Sequence, residues 1–215
     1  MAFDLDGTLY PDFRFFIRLI PFLLKEGPLL MAMGKARKHL RKTGAYQGDF
    51  YDTQARLMAG YLGKPVQETK ERIEKLIYLG WVRHFKKIKL YPHVRETLES
   101  FRGEGIKMGM LSDFPPETKL EYLGLGGYWD VIACSEESGR LKPDPLSFLD
   151  LARKMDIQAD KILYVGNRLS YDVAGAKGAG MKTALIKAPW KRVSRELVPD
   201  FVFHDYRQLQ KYVLN

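Results

Sequence analysis

The chain has 215 residues, 46% of them hydrophobic, and carries a net charge of +9. That is enough chain for one large domain or for a core with an insert. Its one cysteine, Cys134, excludes an intramolecular disulfide framework, and the lack of any CxxC or Cys/His cluster argues against a structural zinc site.

The chain opens with Phe3-Asp4-Leu5-Asp6-Gly7-Thr8-Leu9. In an extended segment residues i and i+2 share a face, so Asp4 and Asp6 can act together. One carboxylate can attack while its neighbour moves protons, and the pair offers the oxygen ligands that Mg²⁺ prefers. The plainer alternative is an acidic surface turn, since Asp-Gly is a common turn pair. No signal peptide is visible, because these first residues already read as a strand, and cytoplasm is the expected location.

Residues 13–90 differ in character. They hold 17 Lys/Arg against 6 Asp/Glu, a net +11, whereas the rest of the chain holds 18 against 20. A shift of that size suggests a separate structural unit. The apolar stretch from Phe13 to Met33 is broken by Arg14, Arg18, Lys25, Glu26, Pro21 and Pro28, too often for a membrane span. The segment reads as all-helical. Pro28 fits the first turn of a helix running towards Lys42, with Gly44 beyond it. Asp52 to Leu62 is a second helix closed by Gly63, and Val66 to Phe85 a third, with Ile73, Leu76, Ile77, Leu79 and Trp81 at helical spacing.

After Pro92 helices and strands alternate. Helices are expected at Val94–Phe101, Pro115–Leu123, Pro145–Met155 and Ser170–Ala179, and a last one at the end of the chain. Strands are expected at Ile106–Leu111, Val131–Cys134, Ile162–Val165, Lys182–Ile186 and Phe201–Phe203. This pattern predicts a mainly parallel sheet covered on both faces, with ligands at the carboxyl ends of its strands. The candidate groups fall there. Asp4 and Asp6 end the first strand, Ser112 and Asp113 follow the second, Lys142 follows the Cys134 strand, and Gly166-Asn167 end the next, with Asp172 five residues on.

This ordered set resembles the haloacid dehalogenase superfamily of phosphohydrolases: Asp4-x-Asp6-Gly7-Thr8, then Ser112, then Lys142-Pro143, then Gly166-Asn167-x-x-x-x-Asp172. The resemblance covers residues 1–12 and about 90–190. It implies a Rossmann-like three-layer α/β core of residues 1–12 and 90–215, with residues 13–89 as an inserted helical cap. It implies hydrolysis of a small phosphorylated metabolite, with Asp4 as nucleophile and Asp6 as acid and base. Ser112 and Lys142 would hold and neutralise the phosphoryl group, with Gly7, Thr8 and Asp113 lining its site. Mg²⁺ would rest on Asp4, Asp6 (through its backbone carbonyl), Asn167 and Asp172. Taken singly these residues have ordinary readings: Lys142 as a solvated lysine, Ser112-Asp113 as a helix cap, Asp172 as a first-turn acid. Asp113 is open between the two uses, and Thr8 fits a purely structural one.

One position departs from the pattern. Many family members carry aspartate where this chain has Asn167, and asparagine offers Mg²⁺ one carbonyl oxygen and no charge. A haloacid dehalogenase activity is the alternative, but a halide leaving group needs no proton and would leave Asp6 without a task. A weakened core whose basic cap binds nucleic acid or an anionic membrane is a further alternative, in which each basic residue near the lipid contributes about 1 kcal/mol. The cap's basic and apolar residues (Lys35, Arg37, Lys38, Arg41, Lys42; Phe13, Phe15, Phe16, Phe22, Leu23, Leu24) otherwise suit a substrate with extra negative charge or an apolar tail, or a solvated helical cap packed on itself. His39, His84, His93 and His204 are dispersed without metal-ligand spacing.

Overall fold

The computed structural model describes residues 1–44, 48–190 and 196–215. Strand β1 (Ala2–Phe3) leads at once into a run of helices: α1 (Asp12–Thr43), α2 (Phe50–Leu62) and α3 (Val66–Ile73). The alternating half follows, with α4 (Val94–Gly103), β2 (Gly109–Ser112), α5 (Glu117–Tyr122), β3 (Val131–Cys134) and α6 (Pro145–Met155). It ends with β4 (Leu163–Gly166), α7 (Ala174–Gly178), β5 (Lys182–Ile186), β6 (Phe201–Phe203) and α8 (Tyr206–Leu214).

The six strands form one parallel sheet in the order β3-β2-β1-β4-β5-β6. Its central strands are buried on both faces, which explains why they read as continuous apolar runs. Side chains alternate between two cores. Phe3, Met110 and Val165 pack with Val94, Leu98 and Phe101 of α4 and with Tyr206 and Leu209 of α8. Ala2, Leu111 and Tyr164 pack on the other face with Phe148, Leu151 and Met155 of α6 and Ala176 of α7. The result is a helix–sheet–helix Rossmann-like core. The strand order reverses beside β1, so the crevice of such a sheet opens at the carboxyl ends of β1 and β4.

The helical segment between β1 and β2 has its own core, in which Leu29, Ala32, Met33 and Ala36 of α1 meet Ala55 and Met58 of α2 and Ile73 of α3. Two of its helices differ from expectation. α1 begins at Asp12 rather than at Pro28 and contains both prolines. The disruption is confined to a kink at Glu26 (φ −116°, ψ 23°), just before Pro28, whose ring and missing N–H disturb the turn ahead of it. The expected Val66–Phe85 helix stops at Ile73. In the next, wider turn (Glu74–Tyr78), the Leu79 N–H reaches back five residues to the Glu74 carbonyl at 2.9 Å, and a 3₁₀ segment (Trp81–Lys87) follows. That change of phase leaves Ile77 in the helical core while Tyr78 and Trp81 pack against Phe114 beyond β2. Likewise Ser170–Ala179 divides into a wide turn (Leu169–Val173) and the short α7.

α7 approaches the loop after β3 very closely. A Cβ on Gly175 would lie 2.2 Å from a ring carbon of Phe148 and 2.9 Å from the Pro143 carbonyl oxygen. Gly60, in α2, has nothing within 4 Å of the same position. Gly175→Ala is therefore expected to destabilise by about 1–3 kcal/mol. Gly60→Ala is expected to be neutral or to stabilise by up to about 1 kcal/mol through helix propensity. Urea unfolding of the two variants measures the contrast.

Candidate active site

At the carboxyl end of β1 the Asp4 N–H continues the ladder to the Val165 carbonyl (2.8 Å), which fixes the Asp4 backbone against β4. Its carboxylate is buried and held from two sides. Thr8 Oγ1 donates to Oδ2 at 2.6 Å, and Lys142 Nζ donates to Oδ1 at 2.6 Å. Lys142 arrives on the loop between β3 and α6, where the Asp144 side chain caps Leu146 N–H and Pro145 begins the helix. The same ammonium donates to Asp172 Oδ1 at 2.8 Å and to the Tyr164 hydroxyl at 3.3 Å. Asp172 Oδ2 accepts from the backbone N–H groups of Asn167 (3.1 Å) and Arg168 (2.9 Å), which ties the loop after β4 to the lysine.

The core of the site is thus one buried ammonium between two buried carboxylates. Burial raises the Asp4 carboxyl to about 7, assisted by the Asp172 charge and opposed by Lys142. Burial acts to lower Lys142, but the two carboxylates outweigh it and hold its ammonium well above the usual lysine range. Asp6 behaves oppositely. Burial would raise it, yet Lys119 keeps it below the ordinary carboxylate range. Lys119 Nζ donates to both Asp6 oxygens (3.0 and 2.7 Å), and the Tyr10 hydroxyl donates to Oδ1. Lys119 itself is buried, near the rings of Phe85 and Phe114.

These groups line a cleft of about 140 Å³ walled by Asp4, Asp6, Lys142, Asn167 and Asp172 from the sheet side and by Arg41 from α1. Asp113, Phe114, Arg168 and Tyr171 complete its lining. A larger cavity of 510 Å³ between α2, α3 and Tyr78 contains none of these chemical groups.

Asp4, Asp6, Lys142, Asn167 and Asp172 therefore meet as the strand-end argument expects. Three other residues are used differently. Thr8 is fully buried and its hydroxyl is spent on Asp4, so it orients that carboxylate rather than facing the cleft. Ser112 is also fully buried behind the cleft wall, and its Oγ accepts from the Phe114 N–H at 3.2 Å. Asp113, expected against phosphate, turns its carboxylate to Arg41 Nη2 (2.6 Å), Ser135 Oγ (2.6 Å) and the Lys142 N–H (3.1 Å). An ionised carboxylate has no proton to give a phosphate, and the charges of Arg37, Lys142 and Arg41 hold Asp113 at about 2 against the upward effect of burial. Gly7 has φ +84°, and a Cβ there would come within 2.0 Å of Asn167 Nδ2, so glycine lets the first loop lie against the β4 loop.

The sequence reading passed over Lys119 and gave Arg37 and Arg41 only as part of a basic run. Arg41 also donates to the Lys142 carbonyl at 2.8 Å and stacks over Tyr171 at 4.6 Å. Arg37 is buried, bonded to Glu136 and to the Asp113 carbonyl (3.0 Å), and lies 4.0 Å over the Phe114 ring. Nothing local marks these residues. Their hydrogen bonds to the groups around the cleft span 72 to 113 positions of the chain.

The donor set suits a hard cation in type, since every candidate ligand is an oxygen. It is sparse in charge. Among the described residues no three His, Cys, Asp or Glu side chains converge as a metal cluster. Among the described residues Asp4 and Asp172 are the carboxylates bonded to Lys142 Nζ, and Asn167 adds a neutral amide to the cleft.

The elevated Asp4 carboxyl has a consequence for stability. Its folded value of about 7 lies above the ordinary 3.8, so ionisation between these values favours the unfolded chain. Asp4→Asn removes that charge and leaves Lys142 paired with Asp172. In metal-free buffer the variant should be more stable than wild type by about 1–3 kcal/mol at about pH 8, with the gain vanishing towards about pH 4. Urea titrations across that range measure it.

A family model for haloacid dehalogenase-like hydrolases matches residues 1–180. Glyceraldehyde 3-phosphate phosphatase of Methanocaldococcus jannaschii is 28% identical, the alignment covering 100% of this chain and 96% of the relative. Phosphoglycolate phosphatase of Aquifex aeolicus is 26% identical, with the same coverage. The crystal structure of a 2-haloacid dehalogenase from Pseudomonas syringae pv. tomato superposes with a TM-score of 0.71 at 24% identity, over 99% of this chain and 96% of that one. With its parallel sheet, its strand-end aspartates and a family match over most of its length, the chain belongs to the haloacid dehalogenase-like hydrolases.

Proposed function

We propose that this protein hydrolyses a small phosphomonoester through an aspartyl-phosphate formed on Asp4. The observation that carries the reading is the buried Asp4–Lys142–Asp172 bridge at the floor of the cleft. In that bridge the Asp4 carboxylate lies beside a fixed cation at the sheet's switch point, an arrangement that suits a carboxylate nucleophile. The full-length likeness to two phosphatases supports the same class of reaction.

Asp4 Oδ attacks phosphorus, the bond to the ester oxygen breaks, and the departing oxygen takes a proton from Asp6. Water then attacks phosphorus, gives its proton to Asp6, and the Asp4 O–P bond breaks to release inorganic phosphate. Thr8 fixes the angle of Asp4, and Lys142 offsets charge on both the carboxylate and the phosphoryl oxygens. The helical segment 13–89 serves as the cap, reaching the cleft through Arg41. Mg²⁺ would rest on Asp4, the Asp6 carbonyl, Asn167 and Asp172, and would supply charge neutralisation that keeps Asp4 ionised beside an anionic substrate. Asp6 argues for phosphate esters over haloacids, because an alkoxide leaving group needs the proton that a halide does not.

p-Nitrophenyl phosphate with Mg²⁺ or EDTA tests this. Wild type should release nitrophenol in a metal-dependent way, and Asp4→Asn should lose at least about 10³-fold. Undiminished turnover in Asp4→Asn would exclude Asp4 as the nucleophile.

The Lys119 contact adds a second expectation. Lys119 and Tyr10 occupy Asp6 and hold it ionised, so Asp6 must leave them and gain a proton before it can act as an acid. Lys119→Met should raise the Asp6 pKa. With an alkyl phosphate, the alkaline limb of kcat/KM should then move to higher pH. With p-nitrophenyl phosphate, whose leaving group needs little protonation, the limb should stay in place. Parallel pH profiles on the two substrates distinguish this role from simple loss of packing, which would lower both alike.

A further inference from the structure

The first two-thirds of α1 has two apolar faces, and only one is covered. Phe15, Leu19 and Leu29 are buried. Phe13, Phe16, Ile17, Ile20, Leu24 and Met31 are each 48–85% exposed. At the helical repeat the five from Phe13 to Leu24 fall within an arc of about 100°, as one stripe about 16 Å long, and Met31 is exposed on the part of α1 beyond the kink. Single exposed apolar residues are ordinary, but an aligned and continuous set marks a contact surface.

The charges around the stripe have one sign. Arg14, Arg18 and Lys25 are exposed along one flank, and exposed Lys35 and Lys38 continue the face beyond Met31. Arg18 reaches the Lys87 carbonyl (3.3 Å), bringing the exposed side chains of Lys86 and Lys87 to the same region. The two acidic residues of α1 are otherwise engaged: Glu26 pairs with Arg72 at 2.6 Å, and Asp12 faces Arg168 at 3.8 Å. The surface is therefore apolar along its ridge and cationic at its border.

We infer that this face of α1 docks the protein on an anionic lipid surface. The aromatic and aliphatic ridge would enter the boundary between headgroups and acyl chains, with the flanking cations among the headgroups. Charge selects this occupant over a second copy, which would bring two +11 segments together. The helix would lie along the surface, since among the described residues no helix is long and apolar enough to cross a membrane.

Sedimentation of the full chain with vesicles tests the inference. Vesicles of phosphatidylcholine alone are compared with vesicles containing about one-third phosphatidylserine, at low salt and at about 0.5 M salt. Binding should be at least about tenfold greater to the anionic vesicles and should fall at least tenfold in high salt. It should also fall at least about tenfold in Phe16→Ser/Ile20→Ser/Leu24→Ser and, separately, in Arg14→Gln/Arg18→Gln/Lys25→Gln. Circular dichroism melts establish that each variant is folded, and the charge variant decides the matter if the serine variant is not. No binding to anionic vesicles at low salt, or equal binding to neutral ones, overturns the inference. A dimer seen by light scattering and dispersed by the serine substitutions, without vesicle binding, assigns the face to a second copy and overturns it as well.

Discussion

An ammonium group enclosed by two carboxylates in an apolar interior is not self-supporting. Each ion loses several kcal/mol of hydration on burial, and the attraction between them repays this only if the surrounding chain holds the geometry and satisfies the remaining lone pairs. Here that support comes from separate parts of the chain. Asp4 is fixed by the β1–β4 ladder and by Thr8, and Asp172 by two backbone N–H groups of the β4 loop. Lys142 is fixed by a loop whose backbone is bonded in turn to Asp113 and Arg41. The order of strands in the sheet is what brings these segments together, so the charge arrangement depends on the fold.

Asp113 links that arrangement to the helical segment. Its two oxygens join Ser135, the Lys142 backbone and Arg41 of α1, while its carbonyl takes Arg37. Two arginines one turn apart on a single helix thus grip the loops after β2 and β3. Arg37 and Glu136 are both buried, and the flat guanidinium lies against Phe114, a geometry that lysine could not reproduce. The position of α1 over the cleft therefore depends on ionic contacts whose core partners neighbour the nucleophile's own supports. A change of charge at the floor of the site has a short physical route to the helices above it, through Lys142 and Asp113.

The residues legible in the sequence were those that topology alone places. An alternation of strands and helices puts strand ends on one edge, so Asp4, Asp6, Lys142, Asn167 and Asp172 could be assembled without knowing a single contact. Some element boundaries in the core were legible because Val131–Cys134, Pro145–Met155 and Lys182–Ile186 carry their own punctuation, whereas the strand expected at Ile106–Leu111 runs from Gly109 to Ser112. Illegible were the uses of a side chain once it arrives. Whether Ser112 faces a cleft or a backbone N–H, and whether Asp113 meets an anion or an arginine, depends on which helix covers the strand end. The helical segment was least legible. The α1 kink is local to Pro28, but the wide turn at Glu74–Tyr78 falls where Tyr78 and Trp81 pack against Phe114, remote in sequence, and that packing overrides local helix periodicity.

α1 shows how one element can answer to several constraints. Its last turns carry Arg37 and Arg41 into the core, its middle packs on α2 and α3, and its first turns cover the aromatic cluster of Tyr10, Phe15 and Phe85. Thirty-two residues of helix with two prolines would be marginal alone, since propensity contributes little against two interruptions. Tertiary contacts along one side must therefore stabilise it, and they account for its buried face completely. They do not account for the opposite stripe, which exposes large apolar side chains to water where polar ones would cost nothing in packing. That unbalanced face is the feature of the chain that the catalytic reading leaves unused.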